Sequence, residues 1–142
     1  MRDFITAVRP LIGVGALLTA ISLAGCAGSK EAQQAQVKSQ ALRSIGQAYH
    51  RFLKEKEYAP NNLEDIAELL PEDNKAEAYQ AVSGGTIIVR WKLDPKTKDP
   101  AKTVLAYPLS ARTAGGEVLK LDQSIVRMSA QELQDALQGK TK

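Results

Sequence analysis

From residue 37 onward the apolar positions of this chain recur with the period of an α-helix. Leu42, Ile45, Tyr49, Phe52 and Leu53 fall at i, i+3, i+7, i+10 and i+11, and Val37, Ala41 and Ala48 extend that face. Such a stripe predicts an amphipathic helix over roughly 37–57. Lys38, Arg43, Arg51, Lys54, Glu55 and Lys56 mostly take its other side. Pro60 biases Ala59 away from helical geometry, and Asn62 is a fair N-cap for a short helix from Leu63 to Leu70. Glu64 and Asp65 suit its first turn electrostatically. Pro71 ends it, and a weaker helix is expected over 74–82, with Ala76, Ala78 and Tyr79 as contacts.

After Gly84-Gly85 the period changes to two. Ile87, Val89, Trp91 and Leu93 alternate with Ile88, Arg90 and Lys92, which predicts a half-buried strand from Thr86 to Leu93. A charged loop, Asp94 to Lys102, leads to a β-rich run from Thr103 to Tyr107, cut by Pro108. Ser110 to Gly116 reads as a turn. Glu117–Leu121 and Ile125–Met128 flank Asp122-Gln123-Ser124, a tight-hairpin signal. Ser129 and Glu132 form a capping-box pair that opens a last helix, with Leu133, Ala136 and Leu137 on its apolar face. Helices first and strands later predict an α+β fold: a long N-terminal amphipathic helix packed on a small antiparallel sheet of about four strands, with a short C-terminal helix.

The segment before residue 37 has another character. Arg2 and Arg9 precede an uncharged run, Leu11 to Ala24, and the tetrapeptide Leu23-Ala24-Gly25-Cys26 closes it. A helix of that length would span about 21 Å, short of the ~30 Å hydrocarbon core, which disfavours a permanent membrane span. The basic start, short apolar run and small-residue site are those of a secretory leader. With Cys26 they resemble the lipobox of bacterial lipoproteins. That resemblance implies removal of residues 1–25, lipidation of Cys26 and anchorage on the extracytoplasmic face of a membrane. Two or three acyl chains hold stably where one does not. Ala27, in place of an Asp, resembles the outer-membrane default of proteobacterial lipoproteins. Residues 26–36 are then a lipidated tether, helical at its end, and 37–142 the folded domain.

Composition trims the function classes. Setting aside Arg2, Arg9 and Asp3 takes 19 basic and 16 acidic residues to 17 and 15, a mature net charge of +2. No dense Lys/Arg run with interleaved aromatics points to nucleic acid. Cys26 is the only cysteine, which excludes intrachain disulfides and cysteine-rich metal sites.

The order of elements resembles a further family. Leu42-Arg43-Ser44-Ile45-Gly46-Gln47-Ala48-Tyr49-His50-Arg51-Phe52 is similar to the helix of pilin-like proteins, especially the pseudopilin-like proteins of planctomycetes. Ala59-Pro60 with Asn62-Leu63-Glu64-Asp65 resembles the next helix there. Val104-Leu105-Ala106-Tyr107 and the run from Gly115 to Met128 resemble its C-terminal hairpin. The likeness covers about residues 40–137 and implies a pilin-like fold. The family's prepilin-peptidase site and long apolar filament helix are missing, so assembly into a pilus is not implied. Asp122-Gln123 also replaces the family's Asp-Gly turn.

Candidate chemistry is thin. His50 is the only histidine and has no nameable triad or zinc partners, so a packing role is its default. Asp94, Asp99 and Asp122 lie in loops. Some secretion pseudopilins bind calcium in such a loop, but lysines dominate here and a solvated loop is the plainer reading. Gly84-Gly85 and Gly115-Gly116 match no phosphate-binding motif and mark turns. Trp91 reads as core, and Ser110 and Ser129 lack a nucleophile-elbow context. No catalytic, cofactor or metal site is therefore expected, and lipid attachment at Cys26 is the one site. The expected function is a non-enzymatic binding or scaffold subunit of an envelope or secretion-related assembly, with the membrane and an envelope protein as partners. The alternatives are an enzymatic or ligand-binding lipoprotein on the same anchor, or a purely structural spacer.

Overall fold

A computed structural model describes residues 26–96 and 99–140, with side chains from residue 30. The expected leader, 1–25, lies outside the described residues. Helix α1 (Cys26–Lys56) carries the predicted apolar stripe and starts earlier than expected. The polar segment 27–36, expected as a tether, is helical throughout. Alanine and glutamine, which make up all of residues 32–36, are strong helix formers, and the nucleus they extend is held by the domain. Then follow α2 (Leu63–Ala67), a 3₁₀ turn (Glu72–Asn74) and α3 (Lys75–Ser83). As predicted, Asn62 caps α2, accepting the Asp65 N–H.

Four strands form one antiparallel meander: β1 (Ile87–Val89), β2 (Val104–Pro108), β3 (Gly116–Lys120) and β4 (Ile125–Met128). A short helix, α4 (Ala111–Ala114), stands where a plain turn was expected, and α5 (Ala130–Leu137) ends the fold with both halves of the predicted capping box formed. The α+β class, the long helix, the four-stranded sheet and the C-terminal helix are thus as predicted.

Two corrections concern strand length and register. The first strand stops at Val89 instead of Leu93. Arg90 still donates to the Leu105 carbonyl, but Lys92 turns left-handed at φ 62° and gives its N–H to Pro60. In β2 the partners pass from Val104–Lys120 to Ala106–Leu119, so one residue is extra. That bulge breaks the alternation, and Leu105 and Ala106 both join the α1 side.

The core has two parts, one on each face of the sheet. On one side Leu42, Ile45, Tyr49 and Phe52 of α1 pack with Ile66, Ala78, Ile87, Leu105 and Leu119. On the other, Leu133 and Ala136 of α5 and Ala111 of α4 pack with Val104, Tyr107 and Val118. Of the contacts expected from α3, Ala78 is buried, whereas Ala76 and Tyr79 face solvent. Ala81 and Val82 take their place against the core.

Candidate interaction surface where the long helix leaves the domain

The apolar stripe of α1 runs out before the helix does. Counting back from Tyr49, Ile45 and Leu42 by helical steps leads to Lys38, then Gln34 or Ala35, then Glu31 and Lys30. Lys38 was expected on the polar side. It lies on the stripe instead, half-buried at the point where the core ends. Lys30 to Val37 are exposed, and Val37, expected to extend the apolar face, is 43 % exposed. Two turns of helix therefore overhang the end of the sheet.

Three grooves meet at Lys38. One, of about 770 Å³, lies between α1 and α3 and includes Val37, Ala41, Glu77, Ala81 and Ile87. A second, of about 480 Å³, runs over the β3–β4 side past Glu31, Leu42, Pro108, Glu117 and Arg127. The third, of about 680 Å³, lies between Lys38, the Gly84-Gly85-Thr86 turn and Leu109 to Thr113. Leu109 is 49 % exposed there. Neither Lys38 nor Arg112 has an ion-pair partner among the described residues. Sequence reading missed this surface. Its signals were a lysine on a core stripe and a leucine stranded between Pro108 and Ser110.

The other candidate residues are explained by folding. His50 Nε2 bonds the Leu121 carbonyl, tying α1 to the end of β3. Trp91 is half-buried and stacks on Tyr49, ring centres 6.4 Å apart. The Tyr49 hydroxyl donates to the Leu93 carbonyl and accepts the Leu93 N–H, each at 2.9 Å. Burial pushes its phenol up to about 12, against a lowering by the Leu93 bond, and the Asp94 charge adds to the rise.

The three loop aspartates do not converge. Asp94 accepts the Lys96 N–H, and Asp99 accepts the Ala101 N–H. Asp122 accepts the Ser124 N–H and hydroxyl, and the hydroxyl bond is the chief reason its carboxyl sits below the usual range. Among the described residues no group of three or more His, Cys, Asp or Glu could hold a metal ion. Gly84-Gly85 ends α3, Gly115 turns the chain into β3, Ser110 precedes α4 without a side-chain capping bond, and Ser129 caps α5. Cys26 begins α1; the backbone from it into the domain is one continuous helix.

None of the described helices is long and apolar enough to cross a membrane. No protein-family model, curated protein or solved structure matches the chain.

Proposed function

We propose that the mature chain is a lipid-anchored protein with a pilin-like fold, held by Cys26 on the extracytoplasmic side of a membrane, and that it serves as a non-enzymatic binding or scaffold subunit of an envelope assembly. The observation that carries this reading is the continuity of α1. Cys26 and the core residues Leu42 to Phe52 belong to one helix, so an anchor at Cys26 joins the domain through a continuous helical stalk. From Cys26 to Lys38 that stalk measures about 18 Å.

Two surfaces are available to an envelope protein. One is the overhanging face of α1 with its flanking grooves. The other is the free edge of β4. Lys120 donates to the Ser124 carbonyl, so by antiparallel alternation the N–H and C=O of Ile125 and Arg127 point away from β3. Such an edge accepts an extended segment by strand addition.

The test is mass spectrometry of Cys26 from native membranes, with crosslinking through Lys30 and Lys38. Support would be an acylated Cys26 and a discrete crosslinked protein that disappears in Cys26→Ser. An unmodified Cys26 would refute the anchor. An acylated Cys26 with no crosslinked protein would refute the scaffold role.

A further inference from the structure

We infer that the rim formed by Leu109, Lys38 and Arg112 is a second membrane contact, which docks on an anionic phospholipid surface and lays the domain down beside its anchor. The inference rests on the lipid-anchored reading above and names the partner of one of its surfaces. Three observations converge on it. Leu109 is a large apolar side chain left 49 % exposed at the end of β2. The groove beside it is lined by two cations, Lys38 and Arg112, and by no acidic residue. Both cations lack ion-pair partners among the described residues. An apolar tip flanked by unpaired cations binds a lipid interface through burial of the tip and attraction to anionic headgroups together.

The topology puts this rim on the correct end. Ile87 pairs with Pro108, and α1 passes Lys38 at the same groove as Thr86 and Leu109, so the rim faces back along α1 toward Cys26. A helix standing upright on its anchor would hold the rim about 18 Å from the lipid. A helix hinged at Cys26 tilts until the rim touches. The exposed overhang between them, Lys30 to Val37, has one acidic side chain, Glu31, beside the cation Lys30, so it sets no net negative charge against that pose. The small residues Gly84, Gly85, Ser110 and Thr113 around Leu109 let the surface approach closely.

The test uses the lipidated protein reconstituted in vesicles of phosphatidylcholine, with or without phosphatidylglycerol. Acylation blocks Cys26, so Ser110→Cys supplies the only free thiol for an environment-sensitive fluorophore. Glu55→Cys, exposed at the far end of α1, is the control. Docking predicts a blue-shifted Ser110→Cys reporter in the anionic vesicles alone and an unshifted Glu55→Cys reporter. Adding Lys38→Glu or Arg112→Glu should lower the docked-to-undocked ratio at least about fivefold each, since one cation near an anionic surface contributes ~1 kcal/mol. Leu109→Ser should weaken it as well. With Cys26 acylated, a Ser110→Cys reporter that reads water in both vesicles overturns the docking inference alone. A free Cys26 thiol overturns the anchor and the docking together.

Discussion

Tyr49 carries more of the fold than its place on an apolar stripe indicates. Its hydroxyl bonds both backbone groups of Leu93, and so it pins the irregular segment after β1 to the long helix. Tyr49→Phe leaves a buried N–H and a buried C=O unsatisfied, which should destabilise by about 1–3 kcal/mol in urea unfolding. Alkaline pH tests the same group. The unfolded phenol loses its proton near 10.0 and the folded one near 12, so the unfolded state binds fewer protons between those values. Stability therefore falls as pH rises across that window, and Tyr49→Phe should show a shallower fall there. Gly115 is the other residue with a specific duty. At φ 71° and ψ 176° it occupies a region open essentially to glycine, and a Cβ would lie 2.7 Å from the Met128 carbonyl. Gly115→Ala should cost about 1–3 kcal/mol, read from the same unfolding curves. Neither partner was legible in the sequence. Leu93 is 44 residues from Tyr49, and only the folded chain brings them together.

At the scale of elements, what local chemistry specifies was legible and what tertiary contacts specify was not. The caps at Asn62 and Ser129 bond within three residues, and both form as read. Ser129→Ala should lower stability by about 1 kcal/mol, measured by thermal unfolding. The Glu132 carboxyl, held low chiefly by the Ser129 N–H, contributes only while ionised. That contribution is present above its ordinary carboxylate value and fades as pH falls through its lowered one. By contrast, β1 ends early because Lys92 is drawn to Pro60, a contact no periodicity announces. Helix α1 overruns its apolar stripe for the opposite reason: alternation and spacing report burial, and an unburied helix leaves no stripe to count. That difference should be visible in hydrogen exchange. Amides of residues 30–37 should exchange by local fraying, whereas those of Leu42 to Phe52 should wait for opening of the domain. Equal protection along α1 would mean that the overhang is covered in solution.

The described residues form a sheet between two layers of helices, and β2 joins them. Every residue of β2 is buried. Val104 and Tyr107 belong to the α4–α5 side, while the bulge turns Leu105 and Ala106 to the α1 side. The sequence indicated a sheet on the long helix, because the α1 stripe and the strand alternation are both strong. It did not indicate which face α5 would cover, since a short helix with Leu133 and Ala136 inward fits either. The two-sided burial of β2 has a thermodynamic consequence. Neither helical layer can leave without exposing side chains of a strand that the other layer still holds. The two layers should therefore unfold together, as small single domains do. Ile45→Ala on one side and Leu133→Ala on the other should each remove about 2–5 kcal/mol. Both should move the same single transition, with far-ultraviolet circular dichroism and Trp91 fluorescence coincident. Trp91 reports the α1 side alone, through its stacking on Tyr49. If Leu133→Ala produced an early dichroism step while the Trp91 signal held, α5 would be an independent appendage and β2 would not couple the layers.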